Sequence, residues 1–271
     1  MHSAVSTLPR RQFLAIGGLG VVGVLMSRSI TSGAAAAFGS PTATASLPLT
    51  GQTAPTPAAI ATTTAKAAVA PTPPTVTIPV PVIQQSMVLD CETAALQQGL
   101  AYYGYNVSQE ELFSHENPDT RMPVMGANHT GLQWGNPYTN FVGYVNGSDS
   151  TPTGFGVFWP VILRLAQDYG LPNAIGGEGL APSAIYAALG AGHPVQVWIE
   201  TNFLRVPVGT WTAWDGTKVR YSYAEHSVTL SGVSPTQVRV NDVLNASQYW
   251  VDKSLFEANF ADFNNMAVIF Q

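Results

Sequence analysis

QSMVLDCETAALQQGLAYYG, residues 85–104, contains the only cysteine of the 271-residue chain, Cys91, where a helix is expected to begin. Asp90 is the predicted N-cap, apolar residues follow at helical spacing, and Gly104 is a typical helix end. A cysteine at a helix N-terminus faces unpaired N–H groups and the positive end of the helix dipole, which favour the nucleophilic thiolate. Gln85 is close enough in sequence for its amide to stabilise an oxyanion in the same pocket. Because free cysteines are often small buried hydrophobes, this segment alone favours catalysis no more than it favours simple burial.

Charge is unevenly distributed along the chain. Residues 1–75 contain four basic residues and no acid, whereas residues 76–271 contain all 16 carboxylates and seven Lys and Arg, a formal net charge of −9. Phosphate binding needs clustered cations, so we expect neither nucleic acid nor anionic lipid as a partner. The 46% of apolar residues is enough to build a core.

The first 75 residues have the pattern of an export signal followed by a tether. The pair Arg10 and Arg11 precedes an apolar run and then small residues, which is typical of a cleavable twin-arginine signal peptide over residues 1–37. The apolar run has about a dozen residues, fewer than the ~20 that span a bilayer, so we expect only transient membrane contact through the signal. An uncleaved membrane anchor is the less favoured alternative. Residues 38–75 are rich in Ala, Thr and Pro, which predicts a disordered linker and a secreted (extracellular) bacterial protein.

Residues 76–271 are predicted to form one catalytic domain of the α+β class. Besides the cysteine helix, the first part predicts a proline-broken edge strand at 76–83 and helices at 108–113, 158–169 and 181–189. The second part predicts strands at 193–199, 206–214, 218–223, 226–230 and 237–241. We expect 226–230 to continue the strand at 218–223. Helices followed by an antiparallel β half are typical of the α+β class.

His226 is the candidate base, because it opens a predicted strand segment inside the β half, whereas His193 precedes a proline at the start of the strand predicted at 193–199. A nucleophilic cysteine needs a base to take its proton and a group to orient that base. Asp242 ends the next predicted strand, and antiparallel neighbours can place the start of one strand beside the end of the next. Cys91 and His226 are 135 residues apart, within the ~130–150 that papain-type folds place between nucleophile and base.

Several motifs resemble the C39-type peptidases of the papain-like cysteine peptidase superfamily, in particular the secreted, stand-alone bacterial branch. They are IQQSMVLDCETAALQQGLAYYG (83–104), WGNPYTNFVG (134–143), AEHSVTLSGV (224–233) and VRVNDV (238–243). The resemblance covers residues 76–271. It implies a papain-like fold in which an N-terminal helical half, with the nucleophile helix, packs on a C-terminal antiparallel β-sheet.

The resemblance also implies a role for each candidate residue. Cys91 would be the nucleophile, His226 the base and Asp242 the carboxylate that orients it. The oxyanion glutamine would be Gln85, with its neighbour Gln84 as the alternative. The implied activity is that of a secreted cysteine peptidase (a thiol protease) that hydrolyses amide bonds of a peptide or protein substrate, with no cofactor and no metal.

Three alternatives to proteolysis stay open. The same triad could transfer the acyl group to an amine, or cleave peptidoglycan cross-bridges, so that the substrate would be a cell-wall peptide. A catalytically silent binding module is the third. The sequence does not identify the substrate, the signal cleavage site or the oligomeric state.

The sequence departs from the family where Glu92 follows the cysteine, a position at which many relatives have Gly. Glu92 and Asp90 place negative charge beside the sulfur, which opposes thiolate formation unless His226 is cationic and close. A metal site at His115 and His129 with the neighbouring acids Glu116 and Asp119 is not favoured, since the spacing fits no zinc signature; solvated loop residues are expected instead. We expect substrate specificity in the loops at 114–156 and the hairpin at 203–224.

Overall fold

The computed structural model describes residues 74–271. The predicted signal peptide at 1–37 and nearly all of the predicted linker at 38–75 lie outside the described residues. Within residues 74–271, no helix combines the length and the apolar character that crossing a bilayer requires.

The described residues form a mixed domain of helices and strands, as the α+β prediction requires. The helices are α1 (Cys91–Tyr102), α2 (Gln109–Ser114), α3 (Trp159–Asp168), α4 (Pro182–Gly190) and α5 (Lys253–Asp262). The strands are β1 (Val76–Thr77), β2 (Val124–Met125), β3 (Gly131–Trp134), β4 (Ile175–Gly177), β5 (Val195–Glu200), β6 (Gly209–Ala213), β7 (Lys218–Tyr221), β8 (Glu225–Val233), β9 (Gln237–Asp242), β10 (Ser247–Asp252) and β11 (Ala267–Ile269).

The strands form two sheets. The larger sheet has the order β10-β9-β8-β5-β11-β4, with β1 paired to the end of β8, and all its pairings are antiparallel. The smaller sheet has the order β2-β3-β6-β7 and includes one parallel pairing, between β3 and β6. The β8–β9 pair carries the two candidate residues His226 and Asp242.

Both faces of the central strand β5 are covered. Val195, Val197 and Ile199 pack into a core that includes side chains of α4 and α5, whereas Trp198 packs into a core that includes side chains of α1 and α3. A strand alternates its side chains between two faces, so the segment 195–199, apolar except for the hydrogen-bonded Gln196, suits the middle of a covered sheet.

Polar side chains of β5 and β8 hold α1 in position. Gln196 donates from Nε2 to the carbonyl oxygen of Glu92 at 3.0 Å, and Thr229 donates from Oγ1 to the carbonyl oxygen of Ala95 at 2.9 Å. Both bonds are buried. They fix the first turn of α1, and with it Cys91, relative to the strand that carries His226.

Two sequence predictions about the strands are wrong. The segment 226–230 does not continue the strand at 218–223, because β7 belongs to the smaller sheet and β8 to the larger one. The edge strand predicted at 76–83 is reduced to β1, since the prolines that follow remove backbone donors.

Asp90 stands at the N-cap position of α1, but its side chain makes no capping bond. The carboxylate instead accepts from the backbone N–H of Met87 at 3.1 Å and from the hydroxyl of Ser86 at 3.5 Å. Asp90 therefore stabilises the turn before the helix. Burial raises the pKa of this carboxyl from 3.8 to about 6, although those hydrogen bonds oppose the shift.

Candidate active site

Cys91 is the first residue of α1 and lines a cleft of about 150 Å³ that His226 and Gln85 also line. The side chain is 6% exposed and packs against Ala94, Ala95 and Val243. Its backbone N–H lies at the first helical position, where no carbonyl of the helix can accept from it. The sequence prediction of a cysteine at a helix N-terminus is confirmed, and so is the alternative of a buried thiol.

His226 and Asp242 form a buried pair. Nε2 of His226 lies 2.8 Å from Oδ1 of Asp242, and the side chains are 4% and 5% exposed. Since an ionised carboxylate only accepts hydrogen bonds, Nε2 carries the hydrogen in this pair. The lone pair of the neutral ring is then on Nδ1, the nitrogen available to take a proton.

Two further donors fix the carboxylate of Asp242. The hydroxyl of Tyr249, on β10, donates to Oδ2 at 2.8 Å, and the backbone N–H of Leu244 donates to Oδ1 at 3.0 Å. Burial alone would raise the pKa of Asp242, but the bonds from His226, Leu244 and Tyr249 and the charge of the imidazole bring it below 3.8. Asp242 therefore stays ionised at neutral pH and can stabilise a cationic imidazole.

Gln85 lies in the cleft, whereas Gln84 does not. Nε2 of Gln85 donates to the carbonyl oxygens of Met87 at 3.1 Å and Val88 at 2.8 Å, so both amide hydrogens are engaged. Nε2 of Gln84 donates to the carbonyl oxygen of Leu244 at 3.3 Å. To donate to an oxyanion, Gln85 has to exchange one of its two bonds.

Gln109, which the sequence analysis missed, holds the segment that carries Gln85. Its Oε1 accepts from the backbone N–H of Ser86 at 2.6 Å, and its Nε2 donates to the carbonyl oxygen of Gln84 at 3.0 Å and to Oε1 of Gln97 at 2.8 Å. The signal in the sequence is only a glutamine in the first turn of α2. Nothing in that position distinguishes a buried bridging side chain from a solvated one.

The sulfur of Cys91 makes its hydrogen bond with Glu92, the next residue, rather than with His226. The distance from Sγ to Oε2 of Glu92 is 3.3 Å, and no hydrogen bond joins Sγ to His226 among the residues that the structure describes. Burial raises the pKa of the Cys91 thiol well above 9.0, and the charges of Glu92 and Glu225 raise it further. The backbone N–H of Ser227 opposes this shift. The thiolate that the helix N-terminus favours is thus opposed by burial and by two carboxyls.

Glu92 is itself buried, at 1% exposure. Its Oε1 accepts from the backbone N–H of Val157 at 2.7 Å. Burial raises the pKa of this carboxyl from 4.5 to about 7, against the bonds from the backbone N–H groups of Val157 and Glu92. Gly156 allows the close approach, because a Cβ atom there would lie 2.1 Å from Oε1 of Glu92.

Glu225 is the second carboxyl near the sulfur, and it is absent from the candidate residues predicted from the sequence. It immediately precedes His226, is 7% exposed, and lines the cleft with Cys91. Burial raises its pKa well above 4.5, and the charges of Glu92 and Asp149 add to the shift. Its position beside the candidate base is the only signal in the sequence.

The loop acids near His115 do not all behave as predicted. Glu116 is fully buried and accepts at Oε1 from the hydroxyl of Thr93, on α1, at 2.7 Å, so the prediction of a solvated residue is wrong for it. Asp119 pairs with Arg121 at 2.6 Å.

Only one of the two segments predicted to determine substrate specificity lines the cleft. Asp149 and Phe155, from 114–156, line the cleft, whereas the lining includes no residue of 203–224.

A family model described as Peptidase_C39 like family matches residues 77–268. The uncharacterized protein YvpB of Bacillus subtilis (strain 168) is 32% identical over 183 residues, which cover 67% of this chain and 68% of YvpB.

Two solved structures are also similar. The crystal structure of a C39-like peptidase from Bacillus anthracis has 27% identity and a TM-score of 0.63, covering 73% of this chain and 97% of that one. A double glycine motif protease from an AMS/PCAT transporter, in complex with its leader peptide, has 18% identity and a TM-score of 0.41, covering 72% and 93% of the two chains. The second likeness is too slight to carry an argument about this chain.

Proposed function

The chain belongs to the Peptidase_C39 like family, and from this premise we propose that it is a cysteine peptidase with Cys91 as its nucleophile. The observation that carries the proposal is the buried His226–Asp242 pair, which opens on the same cleft as Cys91. A family member without catalytic activity has no need for an ionised aspartate fixed by three donors beneath a histidine.

In the proposed mechanism, Nδ1 of His226 accepts the thiol proton of Cys91, and the thiolate attacks the carbonyl carbon of the scissile amide. The imidazolium then donates that proton to the leaving amine as the C–N bond breaks. A water molecule, deprotonated by Nδ1, attacks the thioester and releases the acid and the thiol. Asp242 holds the Nε2–H tautomer throughout and stabilises the imidazolium.

The oxyanion donors in this proposal are the backbone N–H of Cys91 and the amide of Gln85. The first donor is favoured by its position at the start of α1, where it has no helical acceptor. The second needs Gln85 to release the carbonyl of Met87, the longer of its two bonds at 3.1 Å. Binding of a substrate along residues 85–88 would allow Gln85 to exchange its hydrogen bond with Met87 for one with the oxyanion.

The papain-like arrangement and the export route are part of the same proposal. The bonds from Gln196 and Thr229 to α1 support a nucleophile helix packed on the antiparallel sheet. The twin-arginine pattern of residues 1–37 supports secretion. The proposed substrate is a peptide or protein outside the cell.

The test is a cleavage assay on a complex peptide mixture, such as a tryptic digest of a bacterial proteome, with new termini identified by mass spectrometry. Wild-type protein is compared with Cys91→Ala, His226→Ala and the matched control His193→Ala, a histidine outside the cleft. We expect cleavage by the wild type and the control and none by the two site variants. Cleavage that persists in Cys91→Ala would refute the proposal. If the acyl group of the peptide is transferred to an added amine without hydrolysis, the triad would be reassigned to acyl transfer.

A further inference from the structure

Three potential metal ligands meet beneath the cleft. Sγ of Cys91, a carboxylate oxygen of Glu92 and a carboxylate oxygen of Glu225 all lie within 4.8 Å of one another. The three residues are 6%, 1% and 7% exposed. A thiol and two carboxyls are thus held together in a buried place, and the proposed mechanism uses only the thiol.

Glu225 lacks a hydrogen-bond partner among the residues that the structure describes. Its Oε1 is buried without any hydrogen bond, and neither of its oxygens accepts one from the residues that the structure describes. Within residues 74–271, no Lys, Arg or His forms an ion pair with Glu225 or Glu92. Burying a carboxylate without a partner is costly, so the group either takes up a proton, as the raised pKa of Glu225 indicates, or is paired or coordinates a metal. The unpaired side chain therefore points to a cationic ligand.

Glu92 is held in the way that metal-binding carboxylates commonly are. Oε1 accepts from the backbone N–H of Val157 at 2.7 Å, which leaves Oε2, 3.3 Å from the sulfur, directed toward the cluster. Hydrogen bonds of this kind orient ligands and increase metal affinity. Gln196 adds a further constraint, since its amide holds the backbone carbonyl of Glu92 at 3.0 Å.

We propose that Cys91, Glu92 and Glu225 bind a single Zn²⁺ ion through one sulfur and two carboxylate oxygens. Zn²⁺ accepts thiolate and carboxylate ligands together, with Zn–S of about 2.3 Å and Zn–O of about 2.0–2.2 Å, whereas Mg²⁺ and Ca²⁺ prefer oxygen alone. Tetrahedral bonds of those lengths separate ligand atoms by about 3.5 Å, so each pair of ligand atoms, now within 4.8 Å, has to approach by about 1.3 Å at most. As the S–Zn bond and the two O–Zn bonds form, the thiol proton and any proton that either carboxyl holds leave to solvent.

The ion would be bound to the sulfur atom that the proposed mechanism requires as nucleophile. Zn²⁺ binding would therefore inhibit the enzyme reversibly and protect the thiol from alkylation. This inhibition rests on the proposed function, whereas the binding of the ion does not.

The test is titration of the full chain with Co²⁺, a spectroscopic substitute for Zn²⁺, followed by displacement with Zn²⁺. Thiolate coordination produces a sulfur-to-cobalt charge-transfer band, which reports binding without any activity measurement. We expect the band in the wild type and in His226→Ala, and none in Cys91→Ala. Glu225→Gln and Glu92→Gln should each weaken Zn²⁺ binding by at least about tenfold. Asp149→Asn, which removes a charge from the cleft wall but no ligand, should change it by less than about threefold.

Three results would overturn the metal site: no band in the wild type, affinities unchanged in both glutamate variants, or a band that requires His226 but neither glutamate. The last would mean an ordinary cysteine–histidine site. The peptide cleavage assay is run separately with chelator present. A band without cleavage would reject the peptidase and keep the metal site, and cleavage without a band would do the reverse.

Discussion

Replacing Glu92 by Gln should reduce the pH dependence of stability. In the folded protein the pKa of Glu92 is raised from 4.5 to about 7, mainly by burial. Because the folded state then holds a proton that the unfolded state has released, the free energy of unfolding falls as pH rises between these values. The stabilisation is fully present below pH 4.5 and lost once pH exceeds 7. At 1.36 kcal/mol per pKa unit, the loss from this group is about 3 kcal/mol.

The assay is urea-induced unfolding at about pH 4.5 and about pH 8. We expect the wild type to lose about 3 kcal/mol more than Glu92→Gln does between the two pH values. Asp90, whose pKa is also raised, contributes in the same direction in both proteins and therefore cancels in the comparison. The charge of Glu92 is one cause of the raised pKa values of Glu116 and Glu225, so its removal reduces their contributions in the same direction. Glu110→Gln, a change of the same type at an exposed position on α2, should behave as the wild type. Equal pH dependence in Glu92→Gln and the wild type would refute the reasoning.

Two other substitutions test the supports of the site. Tyr249→Phe removes the 2.8 Å hydrogen bond to Asp242 and should lower kcat/KM about tenfold. The control Tyr186→Phe removes a 2.7 Å hydrogen bond to Glu257, away from the cleft, and should leave kcat/KM unchanged. Equal effects of the two variants on kcat/KM would mean that Tyr249 does not act through Asp242. Gly156→Ala places a Cβ 2.1 Å from Oε1 of Glu92 and should lower the free energy of unfolding in urea by about 1–3 kcal/mol. The control Gly190→Ala, where a Cβ meets nothing within 4 Å, should lower it far less. An unchanged free energy of unfolding in Gly156→Ala would show that Glu92 moves freely.

The positions of the nucleophile helix and of the His226–Asp242 pair could be predicted from the sequence, because both depend on local patterns. The start of α1 follows from residue spacing around Cys91, and the pair follows from two consecutive strands joined by the Ser234–Pro235 turn. Neighbouring antiparallel strands leave few ways to place those side chains. The 2.8 Å distance between Nε2 of His226 and Oδ1 of Asp242 agrees with that geometry.

The electrostatics of the sulfur could not be predicted in the same way. Glu92 was expected to oppose the thiolate as a neighbouring charge, but its burial, its bond to Val157 and its approach to Glu225 depend on segments more than 60 residues apart. Tyr249 supports Asp242 from β10, a strand with no alternating apolar pattern strong enough to be predicted. Long-range contacts decide these features, and residue spacing does not encode them.

The split of the β half into two sheets was missed for a related reason. The strands at β7 and β8 are separated by only three residues, which suggests continuity, yet Tyr221 and Glu225 belong to different sheets. The smaller sheet is built by the packing of Trp211 against Trp134 and of Tyr221 against Trp211, and that packing involves a strand almost 80 residues earlier.

The measurement that tests the central claim most directly is the detection of an acyl group on Cys91 during turnover. The wild-type chain is mixed with the peptide mixture, quenched in acid, digested and analysed by mass spectrometry, with hydroxylamine cleavage to identify a thioester. We predict a hydroxylamine-sensitive acyl group on Cys91, absent from Cys91→Ala, that appears more slowly in His226→Ala. Peptide cleavage without any acyl group on Cys91, at the same rate in Cys91→Ala, would contradict the account.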